Sequence, residues 1–460
     1  MRDFTNTERI EPSKRLVVER AKDFKEIYEI FPNLDASTQS SRCIQCGDPF
    51  CLNKCPLHNF IPQWLKAISE KDLEFAFKLS NEPSPFPEVM GRVCPQDRLC
   101  EGDCTLNDGH GAITIGSIET YISEEGFKRG FTVDFPKVDS GKKVAIIGSG
   151  PAGLSVATYL LRAGIAVTMY ERSDRAGGLL TYGIPNFKLD KKVVERRVEL
   201  LIDAGLELVL NCEVGKDIEF EKIASNHDAI FLGVGATKAK KANLLGENAA
   251  NVYASMEYLT AIQRKMFKLD YSKEFDFKDM DVVVIGGGDT AMDCLRTAKR
   301  EGAKSVTCLY RRDAHNMPGS QKEYKNAMEE HVDFLFCASP KDIIVGDNGL
   351  AVGVDCIKTI LGAKDESGRQ KMEEVKGSEF TQHADVVIMA LGFDIEVPSF
   401  LAENGINTND WGEIVVDDKH QTTTAGIYAG GDCYRGADLV VTAAFDGREA
   451  AKNIIKELLG

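Results

Sequence analysis

Two similar stretches, residues 144–171 and 281–312, constrain the fold of this chain more than any other feature. Each runs through an apolar strand pattern, a glycine-rich turn, a helical pattern and a second apolar strand pattern. Units of this kind bind the pyrophosphate of a dinucleotide at the helix N-terminus, where backbone N–H groups point at the anion. The repeat predicts an α/β protein with two nested Rossmann-type dinucleotide-binding domains, the second inserted within the first.

The first unit carries every part of this fingerprint. Its glycines fill a G-x-G-x-x-G turn, and its second strand pattern ends at Glu171, where a carboxylate hydrogen-bonds an adenosine ribose. Glycines 177 and 178 permit a second close approach of the backbone to a ligand. We expect a flavin dinucleotide here, with contacts from Gly148, Gly150, Pro151, Ala152, Gly153, Glu171, Gly178 and Leu179.

A C-terminal stretch is expected to complete the flavin domain. Gly430 and Gly431 precede Asp432, and a helical pattern that includes Thr442 begins near Leu439. The N–H groups and the dipole of that helix would favour the negative charge of a reduced flavin. Asp432 would hydrogen-bond the ribityl chain or the phosphate region. Gly431, Asp432 and Thr442 therefore join the expected flavin contacts.

The second unit differs from the first at the end of its second strand. It carries the G-x-G-x-x-A variant, and its strand ends at Arg311 and Arg312, where an NAD-selective site would carry an acid. Two guanidinium groups suit a ribose 2′-phosphate because they pair bidentately with its oxygens, although solvated surface arginines are the alternative. We predict an NADPH site with contacts from Gly286, Gly288, Asp289, Thr290, Ala291, Arg311 and Arg312.

Seven of the thirteen cysteines are grouped near the N-terminus. The first group, C-x2-C-x4-C-x3-C-P, comprises Cys43, Cys46, Cys51 and Cys55, and the second comprises Cys94, Cys100 and Cys104. In a chain with no export signal, such groups are more often metal ligands than disulfides. The trailing Cys-Pro resembles bacterial ferredoxins, in which the fourth cysteine ligates the other cluster. The pattern predicts two iron–sulfur clusters, with Cys55 in the second.

Seven cysteines are one ligand short of two four-ligand clusters, so a non-cysteine ligand is needed if both are [4Fe–4S]. Structural zinc is the alternative, but zinc sites favour paired C-x2-C knuckles, and only Cys43 and Cys46 form one. Two helices are expected in residues 61–80. We expect a small helical domain that is organised by its clusters rather than by a large core.

These patterns divide the chain into an iron–sulfur domain, a flavin domain in two parts and an NADPH domain. The expected boundaries are 1–138 for the iron–sulfur domain, 139–255 and 385–460 for the FAD-binding domain, and 256–384 for the NADPH-binding domain. Buried parallel strands are expected within the apolar runs 229–236, 385–393 and 426–433. Residues 12–31 have the spacing of an amphipathic helix, and residues 190–204 are expected to form another helix.

Composition narrows the class of partner. A formal net charge of −15 argues against nucleic acid or an anionic membrane surface as the main partner. No uninterrupted apolar run approaches transmembrane length. The charged N-terminus lacks an apolar signal region, so we expect a cytoplasmic protein.

Seven motifs, in order along the chain, resemble the small (β) subunit family of bacterial NADPH-dependent glutamate synthases. They are RCIQCGDPFCLNKCPLHNFIPQWL, GRVCPQDRLCEGDCTLNDGHGAITIGSIE, KKVAIIGSGPAGL, GGLLTYGIPNFKLDK, GGGDTAMDC, YRRDAHNMPGS and AGGDCYRGADLVVTAA. The resemblance implies that NADPH reduces FAD on this chain and that two low-potential [4Fe–4S] clusters carry electrons to a large (α) subunit. There, glutamine and 2-oxoglutarate would become two glutamates.

The resemblance also implies how the cluster ligands divide. Related two-cluster modules occur in dihydropyrimidine dehydrogenase and in flavin-based bifurcating transhydrogenases. By that similarity one cluster is held by Cys43, Cys46, Cys51 and Cys104, and the other by Cys55, Cys94, Cys100 and Glu119. Hydride and electron transfer need no strong acid or base, so no catalytic side chain is predicted.

Three alternatives share these motifs. A disulfide reductase would need a redox-active cysteine pair beside the flavin, but the cysteines beyond the clusters are solitary in sequence. A free-standing NADPH oxidoreductase could serve ferredoxin, sulfur or another acceptor. An assembly subunit could use its clusters only to order a docking surface, although an intact NADPH site argues against a purely structural role.

Overall fold

The computed structural model describes residues 4–137, 139–270, 275–364 and 370–460. Its N-terminal part contains helices and 3₁₀ turns. The helices are α1 (Val17–Arg20), α2 (Asn33–Ser41), α3 (Phe50–Lys54), α4 (Ile61–Ser69), α5 (Leu73–Asn81), α6 (Pro87–Val93) and α7 (Ile115–Lys128), and the 3₁₀ turns are Gln96–Arg98 and Thr105–Asn107.

Strands and helices alternate in most of the rest, which confirms the expected α/β class. From residue 139 the elements are β1 (Lys143–Ile147), α8 (Pro151–Arg162), β2 (Ala166–Tyr170), α9 (Leu179–Tyr182), α10 (Lys191–Asp203), β3 (Glu207–Val209), α11 (Phe220–Ala224), β4 (Ala229–Leu232), β5 (Lys238–Ala239), β6 (Val252–Ala254) and α12 (Ser255–Met266). They continue as β7 (Asp281–Ile285), α13 (Asp289–Arg300), β8 (Ser305–Tyr310), α14 (Gln321–Glu329), β9 (Asp333–Phe336), β10 (Ala338–Val345), β11 (Ala351–Lys364), β12 (Gln370–His383), β13 (Val386–Met389), β14 (Phe393–Asp394), α15 (Phe400–Glu403), β15 (Ile427–Ala429), α16 (Asp432–Arg435) and α17 (Val440–Leu459).

The N-terminal helices have an apolar core of their own. α4 and α5 confirm the two helices expected there, and with α7 they enclose Trp64, Phe77 and Ile118, which are buried. Five of the seven grouped cysteines pack against this core. The expectation of a domain organised by clusters rather than by a large core is therefore wrong in part, because apolar packing supports the cysteine loops.

The amphipathic helix expected over residues 12–31 is wrong. Only α1 is α-helical there, and Lys14 forms an isolated antiparallel bridge with Tyr28. Arg20 is 1% exposed, and its Nε lies 3.4 Å from a carboxylate oxygen of Glu330, which directly follows α14. Ion pairs to a distant part of the chain thus override the helical spacing of this segment.

The first sheet has, among the described residues, five parallel strands in the order β15-β4-β1-β2-β3. Its helix α8 crosses α17 at short range. A Cβ added at Gly447 of α17 would lie 2.3 Å from the carbonyl oxygen of Ala152, so glycine permits the approach. The C-terminal helix thereby lies beside the first glycine turn.

The second sheet corrects two expected domain boundaries. Its described strands are all parallel and have the order β6-β13-β7-β8-β9. β13 pairs with β7, so the run at 385–393 belongs to the second unit rather than to the returning flavin domain. β6 pairs with β13, so the second unit begins before residue 256. Short buried parallel strands have the same pattern in both sheets, so the sequence does not assign them.

An antiparallel sheet of β10, β11 and β12 and a small pair, β14 with β5, complete the described strands. None of these antiparallel strands was expected from the sequence. No described helix combines the length and the apolar character needed to cross a membrane.

Candidate functional site

A cleft of about 880 Å³ lies between the two dinucleotide units. One wall comes from the first unit and the C-terminal segment, and another comes from α12, through Met256, Thr260 and Arg264. Most of the expected flavin contacts line it: Gly148, Gly150, Pro151, Ala152, Glu171, Gly178, Leu179, Gly431 and Asp432. The volume and the elongated set of lining residues suit a dinucleotide.

The three glycines of the first turn have different physical tasks. Gly148 has a φ of +99°, and a Cβ there would lie 2.3 Å from the carbonyl oxygen of Gly233. A Cβ at Gly153 would lie 2.1 Å from the carbonyl oxygen of Gly148, so this glycine, which the cleft does not expose, brings helix and strand together. A Cβ at Gly150 would meet nothing within 4 Å. Gly150 therefore leaves the room at the start of α8 that a pyrophosphate needs.

Glu171 is held at the cleft edge by hydrogen bonds. One carboxylate oxygen accepts from the N–H of Ser149 at 3.1 Å and from its hydroxyl, and the other accepts from the N–H of Ser173 at 2.8 Å. The side chain is fixed where it can accept from ribose hydroxyls. Sequence reasoning missed Ser149, although its place between the first two glycines was a usable signal.

The C-terminal wall is built around a second acid. Asp446 accepts from the N–H of Gly431 at 3.0 Å and from the guanidinium of Arg435, which fixes the glycine turn before α16. Burial raises the pKa of Asp432 to about 7. The hydroxyl of Thr442 donates to the carbonyl of Leu439 at 2.7 Å. The Thr442 hydroxyl is therefore bonded within the first turn of its own helix, whereas the neighbouring Leu439, Val440 and Ala443 line the cleft.

The second glycine turn repeats the geometry of the first. Gly286 has a φ of +142°, and a Cβ there would lie 2.2 Å from the carbonyl oxygen of Ala390. A Cβ at Gly288 would meet nothing within 4 Å. Asp289, Thr290 and Ala291 form the first turn of α13, with Ala291 fully buried. The start of this helix is therefore open for a second pyrophosphate.

The two arginines expected at the nucleotide 2′-phosphate directly follow β8. Arg311 is exposed and Arg312 is partly buried. The Nε of Arg312 is buried without a hydrogen-bond partner among the described residues. A buried donor in that position is costly unless an acceptor joins it, and a phosphate oxygen fits this requirement.

A small cavity collects one set of expected cluster ligands. Its wall contains Cys43, Cys46, Cys51 and Cys104 together with apolar side chains such as Leu65 and Ile113. Among the described residues, no three cysteine sulfur atoms lie within 4.8 Å of one another. Tetrahedral zinc would need sulfur atoms about 3.8 Å apart. The wider spacing fits an inorganic cluster better than a single zinc ion.

The other set of expected ligands lies near a buried carboxylate, that of Glu119. Burial raises the pKa of the Cys55, Cys94 and Cys100 thiols, and the nearby Glu119 carboxylate raises each further. Burial also raises the pKa of Glu119 to about 8, and its Oε1 accepts from Asn59 at 2.7 Å. Three thiols and one carboxylate are therefore near enough to interact electrostatically. No local pattern in the sequence pointed to Asn59.

The two cysteine sets lie against different parts of the protein. Cys55 and Cys94 pack against a core that joins β1, β2 and α8 to Leu57 and Met90 of the N-terminal part, whereas the cysteines packed against the N-terminal core include Cys43, Cys51, Cys100 and Cys104. Cys55 touches both cores. Two of the three cysteines of the second set, and none of the first set, therefore lie against the core that the flavin domain shares with the N-terminal part.

The cleft argues against the disulfide-reductase alternative. Cys212 is the cysteine in its described wall, and it stands alone there. The Cys433 thiol is buried and donates to the carbonyls of Leu232 and Gly430. Each described cysteine is free, and the cleft lacks the neighbouring pair that disulfide reduction requires.

Comparison with known proteins agrees with this arrangement. Residues 20–131 match the family model "dihydropyrimidine dehydrogenase domain II, 4Fe-4S cluster", and residues 142–447 match the pyridine nucleotide-disulphide oxidoreductase family. FprA from Mycobacterium tuberculosis, solved in complex with NADPH, shares the fold with a TM-score of 0.57, at 18% identity over 69% of this chain and 84% of its own.

Two relatives from Escherichia coli K12 match nearly the whole chain. The oxidoreductase AegA is 46% identical over 97% of this chain and 69% of its own length. The NADPH-dependent glutamate synthase small chain is 47% identical over 99% of this chain and 98% of its own length. With its cluster domain, its two dinucleotide units and this full-length similarity, the chain belongs to the family of bacterial NADPH-dependent glutamate synthase small chains.

Proposed function

We propose that this chain oxidises NADPH at a bound FAD and passes the electrons through two [4Fe–4S] clusters to a large subunit. On that subunit, glutamine and 2-oxoglutarate would be converted into two glutamates. The full-length similarity to a glutamate synthase small chain supports the reaction. The observation that carries the electron path is that Cys55 packs both against the N-terminal core and against the core that joins β1, β2 and α8 to Leu57, Val89 and Met90 of the N-terminal part.

The residues of the chain bind and orient the groups that do the chemistry. When bound, FAD takes a hydride from NADPH and releases electrons singly, as the one-electron clusters require. Gly150 and the start of α8 would receive the flavin pyrophosphate, and Glu171 would accept from the ribose hydroxyls. The start of α17 would turn backbone N–H groups towards the flavin ring.

We infer that Glu119 is the eighth cluster ligand. Asn59 donates to its Oε1, which leaves Oε2 as the ligand atom for the cluster that Cys55, Cys94 and Cys100 would also hold. Glu119→Ala should lower the iron content from about eight to about four per chain. Glu125→Ala, on the same helix and paired with Lys128 and Arg129, is the control and should keep all the iron. Two unaltered cluster spectra in Glu119→Ala would remove Glu119 from the site.

The site that contains Cys55 and Cys94 is the better first acceptor because these two cysteines pack against the core that the flavin domain shares with the N-terminal part. The site that contains Cys46 is the better point for electrons to leave the chain. Phe50 lines its cavity and is 53% exposed, so an apolar surface lies beside this cluster site. We infer that the large subunit covers this surface.

Matched phenylalanines test the exit surface. Phe50→Ala should weaken binding of the large subunit and slow glutamate formation, while dye reduction by the small chain alone persists. Phe75, on α5, is also 53% exposed but does not line the cavity, so Phe75→Ala is the control. Equal effects of the two substitutions would show that the large subunit does not dock at the surface around Phe50.

A free-standing NADPH reductase is the second candidate, because AegA is almost as similar to this chain as the synthase small chain is. Anaerobic purification from native cells separates the two. Co-elution of a stoichiometric large subunit, with glutamine-dependent oxidation of NADPH in the presence of 2-oxoglutarate, supports the synthase. A lone chain that reduces dyes but is inert to glutamine supports the reductase. The free cysteines fit a reducing cytoplasm, where we expect either protein to act.

A further inference from the structure

A loop of the cluster domain reaches the second dinucleotide unit. The 3₁₀ turn Gln96–Arg98 lies between two expected cluster ligands, Cys94 and Cys100. The Nη2 of Arg98 lies 3.2 Å from Oδ2 of Asp289, the first residue of α13. A side chain from the cluster domain therefore stands at the helix start that would receive the nucleotide pyrophosphate.

This contact is part of a closed polar network. Asp97 accepts from the N–H of Gln321 at 3.0 Å and from the hydroxyl of Ser320 at 3.3 Å. The N–H of Ser320 donates to Oδ1 of Asp289 at 2.9 Å. Because Ser320 is 6% exposed, the middle of the network is shielded from water. The network joins the cluster loop, the start of α13 and the start of α14.

The charge of Asp289 makes Arg98 important for an anionic ligand. A carboxylate at this helix start would repel a pyrophosphate that lies within a few ångströms of it. The guanidinium of Arg98 compensates that charge and offers further donors to phosphate oxygens. The open space above Gly288 lets a ligand approach both residues.

We propose that Arg98 is a binding residue for the nicotinamide nucleotide, which neutralises Asp289 and contacts the pyrophosphate from the cluster domain. The inference rests on the NADPH site proposed above. Arg98 belongs to the cluster loop and Asp289 to the nucleotide unit, so this ion pair also links the two parts of the protein. Both NADP⁺ and NAD⁺ carry a pyrophosphate, so Arg98 adds affinity without choosing between them.

Equilibrium binding of NADP⁺ and of NAD⁺ to the oxidised holoprotein, followed by perturbation of the flavin absorbance, tests this inference. Arg98→Gln should weaken the binding of both nucleotides by about tenfold, the effect of one lost charge-assisted contact. Arg98→Lys keeps the charge and should recover most of the affinity. Arg129→Ala is the control, because Arg129 is similarly exposed and pairs with Glu125 far from the nucleotide unit.

A double-mutant cycle separates binding from a purely structural contact. On an Asp289→Asn background, Arg98→Gln should cost less than it does in the wild-type background, because the pyrophosphate contact is still lost but no carboxylate is left unneutralised. Unchanged affinities for both nucleotides in Arg98→Gln and Arg98→Lys, with or without a lower melting temperature, would overturn this inference but leave the proposed function standing. A loss confined to NADP⁺ would also overturn it. Wild-type protein that binds neither nucleotide would overturn the proposed function and this inference with it.

Discussion

In both dinucleotide units the first glycine of the turn has a positive φ and lies against a carbonyl oxygen of a neighbouring strand end or loop. Gly148 meets the carbonyl of Gly233, and Gly286 meets that of Ala390. In both units the second glycine faces open space. The units differ after the second strand, where the first has a carboxylate fixed by Ser149 and the second has two arginines. We propose that the shared backbone supplies a pyrophosphate site and that the strand end selects the ligand.

The largest effect is expected from a substitution that disrupts one of the two glycine-rich turns at a time. Gly148→Ala should abolish stable FAD binding, because a Cβ would be both strained by the positive φ and 2.3 Å from a carbonyl oxygen. Gly286→Ala should instead abolish NADP⁺ binding and keep FAD. FAD content per chain and NADP⁺ affinity are the measurements.

Gly205→Ala is the control for Gly148→Ala. Gly205 has a φ of +106°, but a Cβ there would meet nothing within 4 Å. It should lower the free energy of unfolding by about 1–2 kcal/mol, from the backbone strain alone, and leave both ligands bound. Loss of FAD in Gly205→Ala as well would show that strain, and not the close approach, governs the turn.

The next largest effect concerns the choice of nucleotide. Arg311→Ala combined with Arg312→Ala should lower the ratio of NADPH to NADH efficiency by about 100-fold, because two charge-assisted contacts to the 2′-phosphate are lost. Steady-state dye reduction with each nucleotide measures the ratio. Arg172→Ala, which alters the equivalent arginine after Glu171, should leave the ratio unchanged. An unchanged ratio in the double variant would refute the assignment of NADPH selection to this strand end.

A smaller effect is expected at the carboxylate of the first unit. Glu171→Gln keeps the shape of the side chain but loses the charge that strengthens hydrogen bonds from ribose hydroxyls. The affinity of apoprotein for FAD should fall by about tenfold, measured by quenching of flavin fluorescence. The NADPH to NADH ratio should stay constant. A change in that ratio would mean that the two units do not select their ligands independently.

The smallest effect is a pH dependence confined to the flavin unit. Burial raises the pKa of Asp432 to about 7 in the folded protein, above the usual value near 3.8. Its contribution to stability is therefore fully present below about pH 4 and is lost as the pH rises through about 7. The melting temperature of the Asp432→Asn apoprotein, measured relative to that of the wild-type apoprotein, should rise between pH 5 and pH 8. A constant difference would show that Asp432 does not titrate in this range.

The sequence predicted features that depend on local chemistry. The glycine turns, the strand that ends before Glu171 and the helix that starts after Leu439 all have short-range signals, and the structure contains them. The assignment of β13 to a sheet was wrong because buried parallel strands look alike in sequence. The prediction of a helix over residues 12–31 was wrong because Arg20 forms an ion pair with Glu330, which is far away in the chain.

The candidate sites were likewise predictable only where their residues carry a local signal in the sequence. The spacing of the cysteines predicted metal ligands, but only the family resemblance grouped the distant Cys104 with Cys43, Cys46 and Cys51, which line one cavity with it. The partners of these ligands were not predictable in this way. Asn59 reaches Glu119 from sixty residues away, and Arg98 reaches Asp289 from another domain. Contacts of this kind are set by the packing of domains, which leaves no periodic trace in the sequence.

Anaerobic stopped-flow reduction of the purified chain tests the central claim most directly. The flavin absorbance and the cluster absorbance are followed after mixing with NADPH or with NADH. Our account predicts that NADPH bleaches the flavin much faster than NADH does, and that cluster reduction follows flavin reduction. Equal rates with the two nucleotides, or a reduced flavin that never passes electrons to the clusters, would contradict it.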